Sequence, residues 1–187
     1  MKKFLAIFAM LVSGSVFAAS ATLEYQNING LNGTSDQNNF NLTVKESINN
    51  FLAGDVQFSQ TNNSPNGGTD TLASTRVEGG LTGVAAVSSY ASLYTRAAVG
   101  QKYTSATNYG YYSVEPGVIV PIGAGFSAKV GYRFRSAFDT TMPDTTRTWR
   151  AGVGYDLTKT DNIGVRYDSV RGDSNQNVVA VNYTRSF

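Results

Sequence analysis

Apolar and polar residues alternate with a period of two along almost the whole chain beyond residue 19. Leu23 and Tyr25 oppose Thr22, Glu24 and Gln26, and Phe40, Leu42 and Val44 oppose Asn41, Thr43 and Lys45. Val130, Tyr132 and Phe134 oppose Lys129, Arg133 and Arg135, and Trp149, Ala151, Val153 and Tyr155 oppose Arg150, Gly152, Gly154 and Asp156. A side-chain period of two is the signature of a strand with unlike faces. The pattern predicts ten strands, near 20–28, 38–46, 51–60, 72–83, 89–100, 109–120, 125–138, 146–157, 162–171 and 176–187. In each, one alternating set is mostly apolar and the other carries nearly all the charge. The last segment places Val179, Val181, Tyr183 and Phe187 on one face, so an apolar face runs to an aromatic at the final position. Pro116 cannot donate to a strand ladder, which predicts a bulge in the sixth strand.

A soluble β-sandwich alternates too, but the connections separate the two architectures. They switch between longer polar segments (29–37, 61–71, 101–108, 139–145 and a shorter 172–175) and tighter ones (47–50, 83–88, 121–124, 157–161). Membrane barrels have this asymmetry, with long loops on one side and short turns on the other. With odd strands running outward, Phe40, Phe58, Tyr112, Phe138 and Trp149 fall at outer strand ends and Phe126, Tyr155 and Phe187 at inner ends. Val, Leu and Ala favour the middles. Aromatics gathered at two levels match the interfacial belts of a membrane protein.

At the other end, Lys2 and Lys3 precede an apolar stretch from Phe4 to Val12, and Val16-Phe17-Ala18 offers small residues for cleavage before Ala19. These are the parts of a secretory signal peptide over 1–18, with an apolar run too short to span a bilayer. Together, the signal, the alternation and the terminal Phe187 resemble the Gram-negative outer-membrane β-barrel class, which includes small porins and barrels of the OmpA kind. The resemblance covers 19–187 and identifies no particular family. It implies an antiparallel transmembrane β-barrel in the outer membrane, reached through the periplasm. It also implies two partners, the lipid bilayer and the barrel-assembly machinery, with Tyr183 and Phe187 as the assembly signal. Ten strands suit the spacing best. Eight would turn two segments into loop, and twelve, as in the acidic-oligosaccharide porins, would need shorter loops than the sequence has.

Composition narrows the chemistry. The formal charge of +2 is misleading, because Lys2 and Lys3 leave with the signal and the remainder is balanced. No global field therefore points to nucleic acid as a partner. The chain has no His and no Cys. Ser–His and Cys–His nucleophile arrangements, disulfides and the best metal ligands are thus excluded, and neither an enzyme, a metal site nor a cofactor is expected.

What the alternation does place inside the barrel is charge, because a basic side chain at the bilayer midplane costs ~2–4 kcal/mol. The inward set is Lys45, Arg76, Arg96, Lys129, Arg133, Arg135, Arg150 and Arg166, with acids Glu24, Asp55, Glu78, Glu115, Asp156 and Asp168. Tyr90, Tyr94 and Tyr111 are expected inside as well, packed against basic side chains. Two readings follow. Either Lys129, Arg133, Arg135 and Arg150 line a narrow aqueous path, a porin-like channel for small hydrophilic solutes with a mild preference for anions. Or arginines and carboxylates interlock and fill the bore, giving a closed barrel with a structural, adhesive or surface-protecting role. Inward Gly152, Gly154 and Gly164 leave room beside the arginines.

Because the resemblance assigns Phe187 to assembly rather than to transport, deleting it should reduce the folded, heat-modifiable form on gels while total synthesis stays constant. Normal folding and membrane location in that deletion would remove the assembly role.

Overall fold

The computed structural model describes residues 19–31, 36–63 and 71–187. The expected signal segment 1–18, and the central parts of the first two long connections, lie outside these residues. The described chain forms ten strands: β1 (Ala19–Gly30), β2 (Gln37–Asn49), β3 (Leu52–Asn63), β4 (Thr71–Ser88), β5 (Ala91–Thr104), β6 (Asn108–Gly123), β7 (Phe126–Ala137), β8 (Thr146–Asp156), β9 (Asp161–Gly172) and β10 (Gln176–Ser186). Each pairs antiparallel with its sequence neighbours, and β1 pairs with β10 to close the barrel. Closure leaves no unpaired edge, the condition under which strands can cross a bilayer.

The seam is continuous, from Ser20 opposite Ser186 to Gly30 opposite Gln176, and it includes a hydroxyl pair between Thr22 and Thr184 at 2.8 Å. Outside the barrel, Leu23, Val56, Leu81, Val99, Val130, Val153, Val165 and Val181 expose an apolar band. Aromatics pair toward the loop end, with Tyr25 against Phe40 at 5.1 Å, Tyr112 against Phe138 at 5.5 Å and Tyr132 against Trp149 at 5.0 Å between ring centroids. Phe126 and Tyr155 meet in a tilted contact, 4.5 Å between ring centroids, near the turn end. Phe187 is exposed just beyond β10.

Four expectations need correction. The segment 83–88 is not a turn. β4 runs on to Ser88, since the β-compatible Val84–Val87 stretch keeps pairing with β5, and the turn is 89–90. Tyr90 therefore sits on that turn, exposed, and not in the bore. β5 likewise continues to Thr104, because its alternation persists through Gln101 to Thr104. Pro116 makes no bulge. It faces Thr95 of β5, while on the β7 side the ladder skips between Val114↔Phe134 and Gly117↔Gly131 and resumes in unchanged register. A missing N–H thus costs local pairing without inserting a residue. The register shifts lie instead near strand ends, at Ser47/Asn49, Thr61/Asn62, Ala86/Ser88 and Pro121/Gly123.

Inward glycines set how large side chains cross the bore. A Cβ at Gly80 would stand 2.7 Å from the Arg96 guanidinium, and one at Gly100 would stand 2.6 Å from the ring of Tyr111. Tyr94 similarly lies over Gly117 and Gly131. Of the glycines expected to make room for arginines, Gly152 lies beside Arg166, whereas Gly154 and Gly164 accommodate Asn162 and Asn182. Gly79 points outward with open space around it. Gly100→Ala should therefore lower stability by ~1–3 kcal/mol through overpacking against the buried Tyr111. Gly79→Ala should be near neutral. The midpoint of the heat-induced band shift of the two variants checks this contrast.

Candidate functional site

A cavity of about 670 Å³ occupies the bore, and its lining reaches from Thr22, Ser127 and Asn182 near the turn end to Thr104, Pro143 and Gln176 near the loop end. Every basic residue expected to point inward lines it: Lys45, Arg76, Arg96, Lys129, Arg133, Arg135, Arg150 and Arg166. Glu24, Asp55, Glu78, Glu115 and Asp168 line it as well. Asp156 does not. It is exposed at the end of β8 and accepts a hydrogen bond from Asn162 Nδ2 at 2.7 Å.

These charges are organised into groups. In the first, Arg96 holds Asp55 through Nη2 at 2.5 Å and Nε at 3.0 Å, and also contacts Glu78 through Nη1. Glu78 in turn receives Arg133 Nη2 at 2.8 Å, so one buried carboxylate joins β4, β5 and β7. In the second, Arg150 reaches Glu115 at 2.7 Å and Asp168 at 3.6 Å. Arg166 reaches Asp168 at 2.8 Å and Glu24 at 2.6 Å, and Lys129 approaches Glu115 at 3.9 Å. Tyr94 donates its hydroxyl to Glu115 at 2.9 Å, and its ring lies 4.1 Å beneath Lys129 Nζ. Around Glu24, Gln26 donates at 2.6 Å and Asn41 at 2.8 Å, while Asn39 links Gln26 to Ser59 and Thr61.

The third group lies under the loop-end mouth. Asp144, carried on the β7–β8 connection rather than on a strand, is 3% exposed. It is gripped by Arg135 and approached by Lys102 at 3.9 Å. The connection is fixed there: Met142 N–H donates to Asp139 at 3.0 Å, and Thr145 N–H donates to Asp173 at 2.7 Å. Arg135 lies 5.5 Å from the centroid of the Tyr111 ring. Arg76 joins this level through its register with Lys102 and a 3.4 Å bond to Ser59, and it forms no ion pair among the described residues.

Lys102 and Asp144 are the charged bore residues that the sequence reading left out. Lys102 had a signal, since it continues the inward series Arg96, Ala98, Gly100. Asp144 had none, because a loop residue folded inward carries no period. The basic series Lys129, Arg133, Arg135 and Arg150, read as a positive ladder, has a carboxylate within ion-pair reach of every member.

No protein-family model matches the chain, and no curated protein matches it. Solved structures do. The NanC porin superposes with a TM-score of 0.56 at 10% identity, covering 88% of this chain and all of that one. The KdgM porin in complex with disordered oligogalacturonate gives 0.55 at 12%, covering 90% and 99%. The translocator domain of the autotransporter NalP from Neisseria meningitidis gives 0.54 at 9%, covering 100% and 94%. The fold is that of the outer-membrane β-barrels. At these identities it is the architecture, and not the activity, that is shared.

The position of Glu78 between two arginines generates a test. Glu78→Gln leaves Arg96 with Asp55 alone and Arg133 without a carboxylate. Removing one partner of a buried ion pair should cost on the order of 3 kcal/mol. The urea midpoint of the refolded barrel should fall accordingly, and by more than for Glu46→Gln on the exposed surface.

Proposed function

We propose that the chain is a narrow, porin-like channel of the Gram-negative outer membrane, passing small hydrophilic solutes with a mild preference for anions. The observation that carries this reading is the polar cavity that runs between the two barrel ends with an excess of basic lining. Among the described residues nine basic side chains line it against six acidic ones. Net positive charge in a confined, low-dielectric path favours anion entry. The exposed apolar band and the two aromatic levels support a bilayer location. The signal peptide, the periplasmic placement of the short turns and the assembly role of Tyr183 and Phe187 belong to the same proposal. Catalysis is not part of it, because the chain lacks His and Cys and its interior carboxylates are engaged by arginines.

A second reading rests on one observation, the ion pairs that tie Arg96, Arg133, Arg150 and Arg166 across the bore. A bore filled in this way is a closed barrel with a structural or surface role.

Single-channel recording of the purified protein in planar bilayers decides between the two. Steady conductance with a reversal potential displaced toward the anion value in a KCl gradient is expected. Lys45→Gln combined with Lys129→Gln should move that potential toward zero without unfolding the barrel, since Lys45 has no ion pair among the described residues and Lys129 only a 3.9 Å one. A folded protein that passes no current leaves the closed reading standing. Topology is checked separately. An epitope inserted between Asn66 and Gly67 should stain intact cells, and one at Lys159 should stain only after the outer membrane is broken.

A further inference from the structure

The surplus of positive charge in the bore is not spread evenly. Arg96 and Arg133 are matched by Asp55 and Glu78. Lys129, Arg150 and Arg166 are matched by Glu115, Asp168 and Glu24. Apart from Lys45 near the turn end, the whole excess sits under the loop-end mouth, where Asp144 pairs with Lys102 and Arg135 and is the one described carboxylate set against them and Arg76. Arg76 and Lys102 face each other across the β4–β5 ladder, and both lie within electrostatic reach of Arg135 and Asp144.

Hydrogen bonding is incomplete at the same place. Asp144 uses Oδ1 for both Arg135 and Lys102, and among the described residues its buried Oδ2 has no partner within normal hydrogen-bond geometry. The buried Nε of Arg76 and of Arg135 are likewise without acceptors among the described residues; those of Arg133 and Arg150 are too, but there the charge is matched by carboxylates. Buried polar atoms are usually satisfied, so a cluster of spare donors around spare positive charge marks a place for an acceptor with negative charge. Asp144 shows which acceptor fits, because a carboxylate already occupies part of the cluster on a connection pinned by Asp173.

From this arrangement we propose that Arg76, Lys102 and Arg135 form a binding site for a carboxylate-bearing solute beneath the loop-end mouth, with Asp144 as a built-in carboxylate that competes for it. The proposal deepens the channel reading and rests on it for how the ligand is carried further. Arg76 supplies the open half of the site, with Ser59 beside it, and Arg135 is shared between ligand and Asp144. Weak competition of this kind suits passage, because a site that holds its solute too tightly does not release it.

The test is calorimetric titration of succinate into the detergent-purified full-length protein, run beside bilayer recording on the same preparation. Wild type should bind about one succinate per barrel. Asp144→Asn, which frees Arg135 and Lys102, should bind roughly tenfold more tightly, and Arg76→Gln roughly tenfold more weakly. Lys45→Gln, with the same charge change at the far end of the bore, should bind as wild type does. Absence of heat in both wild type and Asp144→Asn overturns the site, as it would if water satisfies the spare donors. Equal weakening by Arg76→Gln and Lys45→Gln also overturns it, because a diffuse field would then account for the binding. Binding without conductance defeats the channel reading and leaves the site, whereas conductance without binding does the reverse.

Discussion

Closure between β1 and β10 confines every inward side chain to one narrow polar bore, and the rest of the molecule is arranged around the charge that results. Most of the large apolar residues are committed to the outer surface, and among the described residues the interior holds only a few, such as Ile28, Val178, Tyr94 and Tyr111, too few for the core of a soluble domain. Its cohesion comes from arginine–carboxylate contacts between strands that are not neighbours, such as Arg133 of β7 with Glu78 of β4 and Arg150 of β8 with Glu115 of β6. In such a place an unpaired charge is costly, whereas a fully paired one approximately breaks even. The network therefore fixes the cross-section of the barrel more than it adds to its stability. The inward glycines belong to the same arrangement, since Arg96 and Tyr111 reach across only because Gly80 and Gly100 give them space.

Pairing and passage make opposing demands on these side chains. An arginine clamped between two carboxylates presents little field to a passing ion, and the balanced groups built on Glu78 and Glu115 act more as struts than as a lining. The unbalanced group under the loop-end mouth and the solitary Lys45 near the turn end are the places where the interior still offers net charge to water. Placing them near the two openings leaves the middle neutral.

Most of the architecture was legible because a barrel wall writes its two environments directly into the sequence as a period of two. All ten strands appear in their expected order, and the sign of the alternation placed Glu78, Arg96, Glu115 and Arg166 inside. Strand ends were less legible. Val84–Ser88, which breaks the alternation with two alanines in succession, and the largely polar Gln101–Thr104 read as connection, yet they remain in the ladder because hydrogen-bonded neighbours extend alongside them. The expected bulge at Pro116 failed for a related reason, since a strand held on its β5 side tolerates a lost bond on its β7 side without changing register. Pairing among the charges was not legible at all. Alternation says which way a side chain points, but which carboxylate meets which arginine depends on how the closed cylinder folds distant strands toward each other. Asp144 lay further out of reach, because its position follows from a loop held by Asp173.

The contact between Glu24 and Arg166 has a further consequence, for the order in which the barrel forms. Nearly every strand pair joins sequence neighbours, so hairpins can form locally and early, whereas Glu24 meets Arg166 across 142 positions of chain. Until β9 and β10 swing round to β1, that carboxylate has only Asn41 and Gln26 as partners, and the seam on which closure depends is open. Closing so long a loop is entropically the slowest kind of event in folding. The two terminal strands therefore control the step at which a row of hairpins becomes a single cooperative object.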